Sequence, residues 1–301
     1  MGHLSDRTVG IGTCRLKGPL SKIGQLKLLW RLLIFATLLL VLVAPLLMLS
    51  SSLLQFLLGV GLLTGLLIFW SDRVDGKSIR QYGLEASVPM ATELAIGLII
   101  GVLCVGLMFL LVASPAGLNS LSFQNEAFDA AFGLFFLKTM LVAFWEETMF
   151  RGFLLVNLRN SFSVFFGTTR GMMVAIFLSS LLFGAIHSGT EHFTWLAFAI
   201  LTLNGIIWCV PMILTGRLAL SIGLHASWNF AQSKIFGFAM SGNASDGALL
   251  DGQPTGSDFW TGGSYGPEGG LVGVIGLMAM LVLIMGYACW TKKLPMPSSR
   301  S

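Results

Sequence analysis

Apolar residues run along this chain in long continuous stretches, not in the stripes of a water-soluble fold. The windows at approximately 29–49, 53–70, 91–113, 130–157, 172–190, 193–214, 217–237 and 271–290 are predominantly apolar. A helix rising about 1.5 Å per residue needs about 20 such residues to cross about 30 Å of hydrocarbon. Period-2 alternation is absent, so a membrane β-barrel is excluded, and a helical bundle is the other way to satisfy backbone groups in lipid. The pattern predicts an all-α, polytopic transmembrane bundle of about eight helices.

Composition agrees and narrows the class. Of 301 residues, 55% are hydrophobic and 11% charged, which marks an integral membrane protein and not a soluble enzyme with a detachable anchor. The net charge of +4 comes from basic residues that flank apolar runs, so no nucleic-acid role is expected. Fifteen of the 18 Lys and Arg residues fall on one side: the amino-terminal segment from Arg7 to Arg31, the 71–90 and 158–171 loops, Arg217, and the carboxy-terminal tail. The loops 114–129, 191–192 and 238–270 contain none. The positive-inside rule places both termini in the cytoplasm. Lys138, Arg151 and Lys234 fall at or inside spans and need a reason. The first span lacks a small-residue cleavage site and reads as retained. Cys14, Cys104, Cys209 and Cys289 are too widely spaced to suggest a disulfide framework or a CxxC metal pair.

The chain divides into a basic tail (1–28), three transmembrane helices with their loops (29–129), a core of four helices (130–237), an external Gly/Ser/Asp loop (238–270), and a last helix with its basic tail (271–301). The composition of 238–270 predicts a flexible loop without chemistry. Gly61 and Gly65 form a small-xxx-small pair that would let the second helix approach a neighbour. No internal repeat of the transporter kind is found.

An ionisable side chain near the bilayer centre costs roughly 2.5–3.5 kcal/mol on insertion scales, so such residues are functional candidates. The fourth span carries Phe144-Trp145-Glu146-Glu147-Thr148-Met149-Phe150-Arg151. Glu147 and Arg151 share a helix face at i,i+4 and can neutralise one another. Glu146 lies about 100° round the helix without a local cation, which suits a carboxylate for exchanging protons. His187 closes Phe183-Gly184-Ala185-Ile186-His187 in the fifth span, and His225 shares a face with Asn229 in the seventh. Counted from Arg159, Arg170 and Arg217, the depths of Glu146, His187 and His225 are roughly 20, 26 and 12 Å. His187 is therefore expected deepest or at a helix end. Each polar residue alone reads equally well as an interhelical hydrogen bond.

The three motifs Glu146-Glu147-xxx-Arg151, Phe183-xxx-His187 and His225-xxx-Asn229, in this order on three membrane helices, resemble those of the CPBP family of intramembrane proteases. That group contains the type II CAAX prenyl endopeptidases and the bacterial bacteriocin-processing and immunity proteins also called the Abi domain. The resemblance covers about residues 130–235. It implies that Glu146, with His187, activates a water to attack a peptide carbonyl, and that His225 and Asn229 donate to the developing oxyanion. Glu147 and Arg151 would hold the fourth helix in register.

No cofactor is expected. His187, His225 and one Glu would make a three-ligand zinc set on paper, but HExxH is absent and Asn is a poor zinc ligand. His192 stands in a near match to an inverted zinc motif with one residue too many, and reads as loop polarity. The resemblance thus implies an endopeptidase in a cell membrane, of the bacterial inner-membrane type, acting on a membrane-associated protein or peptide, CAAX-type prenylated or otherwise. Two other readings stay open: a non-catalytic immunity or scaffold protein of the same family, and a proton-coupled transporter using the same buried groups.

Overall fold

A computed structural model of the protein describes residues 28–112, 122–124, 128–251, 254 and 256–291. Arg7, Arg15, Lys17, Lys22, Lys27 and the carboxy-terminal Lys292, Lys293 and Arg300 lie outside the described residues, as does most of the 114–129 loop. The fold is helical. Helix α1 (Leu28–Val43) runs into a 3-10 turn at Ala44–Met48, and α2 (Ser52–Arg73) and α3 (Val88–Val112) follow. Helix α4 (Ala130–Glu147) passes through a π-helical turn (Thr148–Leu154) into α5 (Leu155–Phe166). Next come α6 (Thr168–Ile186) with a 3-10 turn at His187–Gly189, α7 (Trp195–Thr215), and α8 (Ala219–Phe230) ending in a π turn at Ala231–Ile235. A short α9 (Asp258–Thr261) and 3-10 turns at Gly263–Tyr265 and Pro267–Gly269 lead to α10 (Leu271–Trp290). Strands β1 (Ser122–Phe123) and β2 (Leu250–Asp251) form one minimal antiparallel pair.

Every apolar window of the sequence holds helix, but among the described residues only six helices are long and apolar enough to cross a membrane: α1 with its 3-10 turn, α2, α3, α6 with its turn, α7 and α10. The remaining two windows hold the helices interrupted by π turns, α4–α5 and α8. The reason is visible in α8. All residues from Ala219 to Trp228 are buried, so the helix is solvated by protein and not by lipid and can carry Ser221, His225, Ser227 and Asn229. Its small polar groups bond to nearby backbone: Ser227 Oγ donates to Gly223 O at 2.8 Å and Ser221 Oγ to Trp208 O at 3.2 Å.

Helix α8 is held against α3 by glycines other than those expected. A Cβ on Gly97 would lie 2.5 Å from Leu220 O, and one on Gly223 would lie 2.4 Å from Leu94 O. The backbones therefore touch, as small residues permit in membrane helices. A Cβ on Gly61 or Gly65 would meet nothing within 4 Å; their spacing does not serve close approach, because no helix among the described residues crosses there. Gly97→Ala should accordingly destabilise the protein by about 1–3 kcal/mol through overpacking, whereas Gly61→Ala should leave it unchanged or slightly more stable. Thermal unfolding in detergent separates the two.

The connections gather at two ends. At one, Leu218 N–H donates to Gly83 O at 3.0 Å, and Arg217 Nε donates to the fully buried Glu93 at 2.8 Å. Arg31 pairs there with Asp75, which also accepts from the Tyr82 hydroxyl; burial and then the Asp75 charge push the Tyr82 hydroxyl well above its ordinary range. These basic residues thus tie elements together. At the other end, Gln124 N–H donates to Leu249 O at 2.9 Å, and Lys234 reaches the Asp246 carbonyl while its ammonium lies 5.3 Å from the Phe135 ring. That gives Lys234, at the end of its span, its reason.

The segment 238–270 is more closely packed than the flexible loop that its composition predicts. Among its described residues Phe238, Tyr265 and Glu268 are buried. Its glycines permit tight folding: Gly262 and Gly266 have φ of 84° and 106°, and a side chain at either would strike Gly266 O or Ala239 O within about 2 Å. A composition typical of solvated loops here serves close backbone packing.

Candidate active site

The site forms where α4, its π turn, α6, α7 and α8 meet. Glu147, at the last turn of α4, is fully buried and its Oε1 accepts two hydrogen bonds, from Arg151 Nη1 at 3.0 Å and from His225 Nδ1 at 2.9 Å. A carboxylate only accepts, so Nδ1 of His225 carries a proton and Nε2 is the ring nitrogen that Glu147 leaves free. Arg151 stays paired with Glu147 although it stands in the π turn, whose extra residue changes the register of the helix beyond the glutamates. Its Nη2 donates to Gly205 O at 3.4 Å, and its guanidinium carbon lies 4.4 Å from the Phe183 ring centroid and 5.6 Å from that of Trp208. Aromatic faces therefore complete the solvation of a cation that is 1% exposed.

Glu146 is placed differently. Its side chain keeps 18% exposure, and Oε2 lies 3.9 Å from His225 Nε2, within ion-pair reach but beyond a hydrogen bond. Oε2 is buried and has no hydrogen-bond partner among the described residues. In a protein interior such an orphan acceptor is costly unless a ligand or water uses it. The His225 ring is fixed on its other face by Trp208, with centroids 4.1 Å apart.

His187 caps α6, in keeping with its expected place at a helix end. Its Nδ1 donates to Phe183 O at 2.8 Å, which leaves Nε2 with the lone pair. The Phe183 ring stands 4.9 Å from His187 and 6.3 Å from His225, and so bridges the two histidines. No hydrogen bond or ion pair joins His187 to Glu146 among the described residues. Asn229 lies one turn beyond His225 and is the one residue of α8 that retains partial exposure. The structure thus joins Glu146, Glu147, Arg151 and His225 directly, and sets His187 and Asn229 at the margin.

Two residues escaped the sequence reading. Trp208 is one of several tryptophans in apolar helices, and nothing in its local sequence marks it. Glu268, in Gly266-Pro267-Glu268-Gly269, is 4% exposed, and its Oε1 accepts from Ser241 N and Oγ at 2.6 and 2.7 Å. Burial raises its carboxyl above the ordinary range, against the opposing effects of Ser241, His187 and His225. The Tyr265 hydroxyl beside it is pushed up to about 12, by burial first and by the Glu268 charge second. His192 takes a left-handed φ of 56° in the turn after α6, a loop conformation. Among the described residues no three His, Cys, Asp or Glu side chains come together as a metal site would require, and Glu147 Oε1 is already engaged by Arg151 and His225.

The elements that build this site span one recognisable segment. Residues 127–231 match the family model of Rce1-like type II CAAX prenyl endopeptidases. No curated protein and no solved structure matches the chain. The Rce1-like segment contains Glu146, Glu147, Arg151, His187, His225 and Asn229, which is the resemblance that the three motifs carry, and its family is one of membrane proteases. Helices α1 to α3, the 238–270 segment and α10 lie outside the Rce1-like match. The chain is a multi-pass membrane protein with a helical bundle fold.

Proposed function

We propose that the protein is an intramembrane endopeptidase that hydrolyses a peptide bond near the carboxy terminus of a membrane-associated, CAAX-type prenylated protein or peptide. The observation that carries this reading is Glu146: a carboxylate with an orphan oxygen, beside a histidine whose other nitrogen is held by a buried carboxylate. Glu146 takes a proton from water as the water oxygen attacks the peptide carbonyl, with His187 Nε2 as a second acceptor. His225, as an imidazolium oriented by Glu147, donates through Nε2 to the oxyanion, and Asn229 donates its amide N–H. Collapse of the tetrahedral intermediate returns the proton from Glu146 to the leaving amine. An apolar cavity of about 320 Å³ between α1, α2 and α4, lined by Leu40, Val43, Leu47, Phe56 and Trp145, suits an isoprenoid chain. The positive-inside pattern supports a cytoplasmic position for both termini.

The test uses the full chain in nanodiscs with a fluorogenic farnesylated CAAX peptide. Release of the terminal tripeptide is expected, with kcat lowered about 10²–10³-fold in Asn229→Ala and KM little changed. Equal turnover of the unprenylated peptide would remove the prenyl specificity and leave the protease. No cleavage of either peptide sinks the proposal.

A further inference from the structure

Three of the tryptophans, Trp70, Trp208 and Trp228, are fully buried in the bundle. An indole N–H can only donate, and when buried it ordinarily finds an acceptor. Among the described residues Nε1 of Trp70 and of Trp228 has no hydrogen-bond partner. Trp208 differs: its Nε1 donates to the thioether sulfur of Met280 at 3.2 Å, from α7 across to α10. A thioether is a weak acceptor, but this one is firmly placed. Met280 is fully buried. One helical turn before it, a Cβ on Gly276 would lie 2.7 Å from Met108 Sδ of α3 and 3.1 Å from Trp228 Cη2, so α10 sits closely against the bundle at this level.

The indole held in this way is the surface on which His225 rests. Centroids 4.1 Å apart and an interplanar angle of 33° put the imidazole over the Trp208 ring. Trp208 O accepts from Ser221 Oγ at 3.2 Å, and Ser221 stands one turn before His225 on the same face of α8. Phe183 meets the indole at 6.0 Å and 64° and closes another side of it. The hydrogen bond between His225 Nδ1 and Glu147 Oε1 fixes one point of the imidazole and leaves the ring able to swing about that bond. A ring stacked against its face removes the swing. Bond and face together decide where Nε2 points, and Nε2 is the atom that donates to the oxyanion.

We infer that Trp208 is a positioning residue for His225 and that Met280 sets the orientation of Trp208, so that α10 takes part in the site although it lies outside the Rce1-like match. The contacts run unbroken from Met280 Sδ through the Trp208 indole and the His225 ring to the Glu147 carboxylate. The consequence for turnover rests on the protease reading; the orientation of the His225 ring does not. Trp208 has no role in holding the peptide in this scheme. Its loss acts on kcat by misaiming Nε2 in the transition state, where an error of about 1 Å is worth up to about 10²-fold, and it leaves ground-state binding of the peptide unchanged.

The test compares the full-length wild type with Met280→Leu, Trp208→Phe and the double variant, in nanodiscs, on the farnesylated CAAX peptide. Met280→Leu nearly conserves volume and removes the acceptor; kcat should fall about threefold to tenfold, the worth of one hydrogen bond, with KM unchanged. Trp208→Phe keeps an aromatic ring but has no N–H and a smaller face, and kcat should fall by about tenfold to 10²-fold. In the double variant Met280→Leu should add nothing to that loss, because the bond through which it acts is already gone. Packing alone would instead give additive losses in melting temperature with kcat per folded molecule unchanged, and that result would overturn the inference. Proton NMR of ring-labelled histidine needs no turnover and decides the matter even where Trp208→Phe does not fold. The His225 ring protons, assigned through His225→Gln, lie over an indole and should resonate upfield of those of a free imidazole, and Met280→Leu should move them. An unmoved signal overturns the inference even if cleavage is robust. A moved signal without cleavage of any peptide upholds the placement of His225 while the protease reading fails.

Discussion

Glu146→Gln is expected to lower turnover of a cleavable peptide by about 10²–10⁴-fold, the usual worth of a general base, while the purified protein melts at its normal temperature. The glutamine side chain has nearly the shape of glutamate and keeps one carbonyl acceptor, so packing against α8 is retained. What it loses is the ability to take a proton from water. Stability should not suffer, because Oε2 of Glu146 makes no hydrogen bond among the described residues and lies 3.9 Å from His225 Nε2. Replacing a partly buried carboxylate by a neutral amide even removes a desolvation cost. A scaffold that used Glu146 only to hold helices together would tolerate the change, so wild-type turnover in Glu146→Gln, measured beside its melting curve, would remove the catalytic assignment.

The second large effect concerns Arg151, and here stability is the quantity that moves. Arg151→Met leaves the fully buried Glu147 without its cation, and breaking a buried pair in this way costs about 3–5 kcal/mol. The loss should fall toward the lower end of that range, because His225 also donates to Glu147 Oε1. The double variant Glu147→Gln with Arg151→Met should regain most of the stability, since no uncompensated charge remains. It should not regain turnover, because His225 then lacks the carboxylate that orients its ring. Unfolding in detergent and cleavage of the same peptide, measured on all three proteins, would expose the opposite pattern: a single variant as stable as the wild type, or a double variant as active.

Much of the architecture was legible because lipid imposes a simple rule on sequence. A helix facing hydrocarbon must be apolar over its whole length, and α1, α2, α3, α6, α7 and α10 announce themselves in that way. The pairing of Glu147 with Arg151 was legible for an equally local reason, since four residues along a helix bring two side chains together. Close approach of helices was not. Gly61 and Gly65 have the right spacing and meet nothing, whereas Gly97 and Gly223 make the contact; spacing states that a helix can be approached, and only its neighbours decide whether it is.

The sequence by itself determined the membrane class, the windows where helices lie, and the set of polar residues that lipid would exclude. Tertiary structure decided what those residues do for one another. It gave Glu147 to Arg151 and His225, left an oxygen of Glu146 without a hydrogen-bond partner among the described residues, and set Phe183 between the two histidines. The physical reason is the range of the forces involved. Hydropathy and helix periodicity act within one segment and leave their trace in it, whereas the protonation and orientation of a buried group depend on charges and rings supplied by helices distant in the chain.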